Sequence, residues 1–263
     1  SDVCSSDLLN IRADVTILGS GGPTVSAGAA RASAIDSIIA MSSSYGDNVS
    51  GAVISISGVI FAHGKNPNPG GNGTNKGGCL RFDTQVFGKI TLTNVTVTDC
   101  IAPDGSGGGI AFISSGNAPP NSAGHTPVVT LKNITVSQSE SDYATDNQPL
   151  AEGGGMFLGN TVSVALDGST FSQNLAYAPI ATKPNSSPPV EVGADGGAIS
   201  IQAQTGISPN YGSTVISNST FDSNNVRITT AVSNVYGSKR QDGGAIEALG
   251  VFVVTTSTFT NNS

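Results

Sequence analysis

From Ile54 onward the chain alternates apolar and polar residues in short runs, and the runs return. "ITLTNVTVTDC" (90–100), "VTLKNITVSQS" (129–139), "VALDGSTFSQN" (164–174), "TVISNSTFDSN" (214–224) and "FVVTTSTFTNN" (252–262) share one pattern. An earlier copy, "ISISGVIFAHG", starts at Ile54, and a degenerate one, "VTILGSGGPTV", covers 15–25. Aligned, they place Phe61, Val97, Val136, Phe171, Phe221 and Phe259 in one column. Five residues upstream stand Ile56, Leu92, Leu131, Leu166, Ile216 and Val254. A period of two puts such residues on one face of a strand and their polar neighbours on the other.

Before each run comes a glycine pair with its own strand: "GGCLRF" (77–82), "GGGIAF" (107–112), "GGGMFL" (153–158), "GGAISI" (196–201) and "GGAIEA" (243–248). Leu80, Ile110, Met156, Ile199 and Ile246 form its apolar column, followed two residues on by Phe82, Phe112, Leu158 and Ile201. Each repeat therefore offers three short strands. None buries its face alone, but stacked copies bury a continuous core. Repeat lengths vary through their loops, which a parallel stack tolerates because each level adds about 4.8 Å whatever its loops do. The expectation is an all-β fold, a right-handed parallel β-helix of about six to seven three-strand coils. The glycine pair would turn the chain tightly into each coil and permit close backbone approach between levels.

Three residues after the Phe/Val column lie Gly64, Cys100, Ser139, Asn174, Asn224 and Asn262. Stacked Asn side chains can bond along such an axis. Written out, the repeat is G-G-A-I paired with F-x-x-N. "GGAISI" with "FDSN" and "GGAIEA" with "FTNN" carry it fully, and "GGGMFL" with "FSQN" comes close. This pairing resembles the repeats of the chlamydial polymorphic outer-membrane protein family. The resemblance covers most of 50–263 and implies a β-helical passenger region of a surface adhesin. The earlier copies depart from it, with Val for Phe and Cys or Ser for Asn. The opening "SDVCSSDL" resembles a translated sequencing adapter, so residues 1–8 are set aside as an assembly artefact. Residues 9–263 then read as one β-helix domain, a fragment truncated at both ends.

Composition narrows the classes. The 263 residues include 34 glycines and no Trp, with 11% charged residues and a net charge of −7. Nucleic acid is excluded as a partner, since phosphate contacts need clustered Lys and Arg. No stretch approaches the roughly 18 apolar residues of a membrane-spanning helix. Catalysis on a β-helix needs grouped acids or bases, yet the outward residues of the glycine-pair strand are Arg81, Ala111, Phe157, Ser200 and Glu247. His63 and His125 fall in different repeats, with His63 in "AHGK" read as a turn residue. The expectation is a non-enzymatic protein with no catalytic residues and no cofactor.

Four other features bear on ligands. Glu152, Asp195 and Asp242 each precede a glycine pair on successive coils, where a calcium ion could bridge them or water could solvate them. Thr96, Thr135, Thr170, Thr220 and Thr258 form an outward column flanked by Thr98, Ser137, Ser172, Asp222 and Thr260, interrupted at Asp222 and begun by Ile60. Such a T-x-T array resembles ice-binding surfaces, although β-propensity alone also favours Thr there. Cys79 and Cys100 fall at the same corner, so a disulfide between them and a pair of buried thiols are both open; a bridge suits an oxidising compartment. Long connections at 65–76, 140–152, 175–195 and 225–242 precede the glycine-pair strand, and 83–89, 113–127 and 203–213 follow it. They carry Tyr143, Tyr177, Tyr211 and Tyr236, candidates either for ligand contact or for pinning their own loops. The sequons at Asn94, Asn133 and Asn218 follow largely from the Thr column.

The functional expectation is a secreted or cell-surface protein, adhesin-like or a structural stalk. Its partner is a host-cell protein or glycan, or neighbouring copies in an assembly. A polysaccharide lyase or hydrolase is the second reading and ice binding the third.

Overall fold

The computed structural model describes residues 9–10, 14–30, 33–34, 36–40, 52–66, 76–83, 87–103, 105–113, 128–142, 150–159, 162–178, 192–202, 213–228, 239–249 and 252–263. These residues form a parallel β-helix. The glycine-pair strands stack as one seven-stranded sheet that includes Leu80–Asp83, Ile110–Ile113, Met156–Leu158, Ile199–Ile201 and Ile246–Ala248. A second seven-stranded sheet runs from Val15–Leu18 to Phe252–Thr255, and a third from Thr24–Ser26 to Thr258–Thr260. Every neighbouring pair is parallel, and the columns read from the sequence are the pairing registers. Phe61 pairs Val97, Val97 pairs Val136, Val136 pairs Phe171, Phe171 pairs Phe221 and Phe221 pairs Phe259. The degenerate copy at 15–25 pairs Ile17 with Ile56 and Val25 with Phe61.

The glycine pair has two separate jobs. The first glycine of each pair takes positive φ: 79° at Gly77, 73° at Gly107, 61° at Gly153, 63° at Gly196 and 64° at Gly243. Side chains rarely adopt that conformation, so the sharp entry into the strand selects glycine. The second glycine has no room: a Cβ on Gly78, Gly108, Gly154 or Gly197 would collide with the carbonyl oxygen of the equivalent glycine one level on. From Ala52 onward the other two corners are two residues long and begin with a left-handed residue, whereas the first level joins Leu18 to Thr24 through five residues. Between the second and third sheets these include Asn94, Asn133 and Asn218, at φ 52°, 52° and 50°. Asn tolerates this region better than most residues. That accounts for the asparagines of the sequons.

Inside, Ile, Leu, Val and Phe from the three sheets form one cluster, with Phe171 stacked on Phe221 at 5.3 Å and Phe221 on Phe259 at 4.8 Å between ring centres. At the corner after the third sheet the Asn ladder is present and buried. Asn174 Nδ2 donates to Asn224 Oδ1 at 2.9 Å, and Asn224 Nδ2 donates to Asn262 Oδ1 at 2.9 Å. The same oxygens accept the backbone N–H groups of Asn174 (3.1 Å) and Asn224 (3.0 Å), and Asn224 Nδ2 also reaches Phe171 O at 3.0 Å. The departures from Asn have a steric cause. Cys100 is bridged to Cys79, with 5.6 Å between their Cα atoms. A Cβ on Gly64 would collide with Cys79 Sγ, whereas Gly64 N–H donates to that sulfur at 3.1 Å. The disulfide fills the ladder space at these levels.

The expectation of three strands per coil is corrected by two further sheets. Ile101–Pro103, Glu140–Asp142, Leu175–Ala178 and Asn225–Ile228 form a fourth, and Leu150–Glu152, Val192–Asp195 and Lys239–Asp242 a fifth. The connections 140–152, 175–195 and 225–242 therefore begin and end as strand, and 83–89 shrinks because Leu80–Asp83 and Phe87–Thr93 extend into it. The two added sheets pack on each other through Ala151, Ala176, Ala178, Ala194, Val226 and Ile228. Small side chains let two narrow sheets close together, but they give no long apolar alternation to read. Together the sheets make a fin leading out from the helix before each glycine pair.

Two mutations test this packing. Asn224→Leu takes from the Asn174 backbone N–H and side-chain amide, and from the Phe171 carbonyl, the partners they have at Asn224 in a buried site, and should cost about 1–3 kcal/mol in urea unfolding. A melting temperature equal to the parent's would show that the ladder bears no load. Ser141 is fully buried between Ala102 and Ala176 in the fourth sheet, and its hydroxyl has no hydrogen-bond partner. Ser141→Ala should therefore raise stability by about 1 kcal/mol, because the desolvated hydroxyl is removed while its neighbours show that alanine fits.

Candidate functional site

The fifth sheet and the outer face of the glycine-pair sheet meet in a crevice. Alternation turns Ala151 and Ala194 toward the fin interior, so Glu152 and Asp195 face the other way. On the opposite wall stand Ala111, Phe157, Ser200 and Glu247, in register along the sheet. These residues face outward from the coil, as expected, and all four are buried.

Charged groups in the crevice are engaged with one another. Ser106 Oγ donates to Glu152 Oε2 at 2.9 Å, and the Gln202 amide donates to Glu152 Oε1. Ser200 Oγ donates to Glu247 Oε2 at 3.1 Å. Lys76 Nζ lies 3.9 Å from the centre of the Phe157 ring, a cation–π contact. Burial pushes the Lys76 pKa down, the Glu152 carboxylate opposes that shift, and Arg81 adds to it. Of these residues only Arg81, Phe157, Ser200 and Glu247 share the outward column read from the sequence; Lys76, Ser106 and Gln202 belong to none that alternation would single out. Only the stacking of different levels brings them together.

Glu152, Asp195 and Asp242 are in register as expected. Their environments differ: Glu152 and Asp195 are buried, whereas Asp242 is exposed. Among the described residues no three of His, Cys, Asp and Glu are grouped so that they could hold a metal ion.

The threonine column is in register from Thr96 through Thr135, Thr170 and Thr220 to Thr258, with Thr98, Ser137, Ser172, Asp222 and Thr260 beside it. Neighbouring levels bond across it: Ser137 Oγ donates to Thr98 Oγ1 at 3.0 Å and Thr260 Oγ1 to Asp222 Oδ1 at 2.7 Å. The Thr260 hydroxyl and then the Asn261 amide hold the Asp222 carboxyl below its ordinary range. Two-residue corners flank the strands from Thr96–Thr98 to Thr220–Asp222 on both sides.

Of the four candidate tyrosines, Tyr177 is half-buried on the fourth sheet, with the Arg227 guanidinium 5.5 Å from its ring centre. Tyr177 thus lies on a strand, a correction to its placement in a loop. Tyr143, Tyr211 and Tyr236 lie outside the described residues, as does His125. His63 is not the plain turn residue expected: it contacts Ser26 and Asp99 on the neighbouring levels. Among the described residues no helix is long and apolar enough to cross a membrane.

The crevice makes a pH-dependent prediction. A lysine whose folded pKa lies below its unfolded value binds its proton more weakly in the native state. Stability then rises with pH from the folded value up to the ordinary lysine range, about 10.4. Lys76→Met removes that contribution, so the wild type should gain on the variant in urea unfolding as the pH is raised toward the ordinary lysine range. A difference that stays flat across this range would place the Lys76 ammonium in water. No family model, curated protein or solved structure matches the chain.

Proposed function

We propose that this β-helix is a secreted or cell-surface recognition scaffold, adhesin-like, that engages a host-cell protein or glycan through the segments that connect its fourth and fifth sheets. One observation carries the reading. Fourth-sheet strands end in register, with Asp142 beside Tyr177 and Ala178 beside Ile228, and fifth-sheet strands resume in register from Leu150 and Gly193. The strand ends that bound 143–149, 179–191 and 229–238 are therefore in register on successive levels. Connections between elements of a rigid support are a usual place for a recognition surface. The Cys79–Cys100 bridge supports an oxidising, extracellular setting. The crevice supports a structural role rather than a polysaccharide-cleaving one, because its carboxylates at Glu152 and Glu247 are buried and already accept hydrogen bonds. A stalk built of many such coils would use the same scaffold with neighbouring copies as partners.

A second reading is favoured by the third sheet. Five threonines in register along one sheet are suited to ordering water as ice-binding surfaces do.

One set of variants separates the two. Segments 179–191 and 229–238 are each replaced by a short Gly-Ser linker, leaving the fin strands intact. The far-UV spectrum and melting transition should be retained, since loop length changes closure entropy only slowly. Attachment to cells or to an immobilised glycan panel should be lost, and Tyr177→Ala should weaken it. Thr170→Lys with Thr220→Lys should leave attachment unchanged. Attachment that survives both linkers sinks the adhesin reading; thermal hysteresis in the parent that disappears in the double lysine variant establishes the ice-binding one.

A further inference from the structure

Ser26, His63 and Asp99 come from three successive levels and meet at the edge of the third sheet. Ser26 pairs with Ala62 and Ala62 with Thr98, so the residues that follow Ala62 and Thr98 occupy the same corner position. Both are left-handed, His63 at φ 59° and Asp99 at φ 52°. That backbone shape recurs at Gln138, Gln173, Ser223 and Asn261 and so marks no function by itself. The side chains set this corner apart. His63 Nδ1 lies 3.2 Å from Ser26 Oγ, and His63 Nε2 lies 3.5 Å from Asp99 Oδ2. The side chains of His63 and Asp99 are 30% and 35% exposed and Ser26 is exposed, so a small substrate can reach them.

We propose that Ser26, His63 and Asp99 form a serine-nucleophile site that hydrolyses small carboxylic esters. A hydroxyl is a weak nucleophile until a neighbouring base takes its proton, and that base must present an unprotonated nitrogen. The Asp99 carboxylate, 3.5 Å from Nε2, favours the tautomer protonated at that nitrogen, and in that tautomer Nδ1 is the base. The Gly28 carbonyl competes: the Ser26 hydroxyl donates to it, and His63 Nδ1 stands 3.1 Å from it. Rotation about the Cβ–Oγ bond alone transfers the hydroxyl proton from Gly28 O toward Nδ1. Gly28 N–H lies 3.3 Å from Ser26 Oγ and is the adjacent donor for an acyl oxygen that develops negative charge.

In the first step Ser26 Oγ bonds to the acyl carbon as its proton passes to His63 Nδ1. The bond between that carbon and the alcohol oxygen then breaks, and His63 returns the proton to the departing oxygen. A water molecule next loses a proton to His63 and attacks the acyl carbon. The bond to Ser26 breaks, Ser26 recovers its proton, and the carboxylic acid leaves. Ser26 and His63 are the catalytic residues; Asp99 is a positioning residue.

The test treats the full chain with a biotinylated fluorophosphonate and follows hydrolysis of 4-nitrophenyl acetate. Ser26→Ala removes the nucleophile. His63→Gln is chosen because Gln138 and Gln173 occupy the same left-handed corner, and Asp99→Asn because Asn94 and Asn133 adopt that conformation. The expected result is a single adduct on the peptide carrying Ser26, absent in His63→Gln. Hydrolysis should fall at least tenfold in Ser26→Ala and His63→Gln, and Asp99→Asn should lower kcat with KM unchanged. A chain that takes no adduct at Ser26, or that hydrolyses the ester equally well as Ser26→Ala, overturns the proposal. So does an adduct that forms undiminished in His63→Gln, since the base would then be idle. A matching far-UV spectrum and melting transition in each variant keep a folding defect from imitating loss of the site.

Discussion

In a stack of parallel coils each strand finds its hydrogen-bond partners one level above and one level below, so every level must bend where its neighbours bend. A corner displaced by one residue would turn the following strand's apolar face outward, because side chains alternate with a period of two. The structure meets this demand with corners of fixed length and conformation. A left-handed residue opens the corners beside the third sheet, and a positive-φ glycine opens the turn into the glycine-pair strand. The second glycine of that turn leaves no space for a side chain against the level beyond. The eleven-residue run through the second and third sheets is consequently constant in length from Ile54 onward, while insertions fall where the coil leaves the stack.

Buried corners also need polar satisfaction, since a turn interrupts the ladder of backbone bonds. The amides of Asn174, Asn224 and Asn262 supply it at one corner and the hydroxyls of Ser169, Ser219 and Ser257 at another, where each accepts from the backbone N–H one level before. At the levels of Gly64 and Cys100 a disulfide takes the space instead. The same position thus holds a covalent bond at one end and a hydrogen-bonded ladder at the other. What is kept is the volume filled and the groups satisfied, rather than the residue.

The faces of this scaffold have separate characters. The crevice by the glycine-pair sheet is buried, and its carboxylates at Glu152 and Glu247 carry hydrogen bonds from Ser106, Gln202 and Ser200. It reads as the joint that ties the fin to the helix. The third sheet is hydroxyl-lined, and the strands of the fin end in register. A solenoid permits this division because each level contacts mainly its neighbours. One face can change while the core columns stay fixed.

The all-β class, the stacked parallel coils, the register of the three main sheets and the twofold role of the glycine pair were legible in the sequence. They rest on local rules repeated many times: alternation of apolar residues, Gly at a strained turn, Asn three residues after Phe. Repetition turns each weak signal into a column. The recurring S-T-F at 169–171, 219–221 and 257–259 also contained the serine ladder, although alternation gives it no weight because Val95 and Ile134 hold the same position at earlier levels. The fin was not legible, since alanine, serine and glycine strands lack the apolar contrast that reveals a strand. The pairing of Lys76 with Phe157, of Glu152 with Gln202, and of His63 with Ser26 and Asp99 was decided by tertiary structure alone. Each joins different levels through side chains that do not repeat, and only the stacking of levels sets which of them meet.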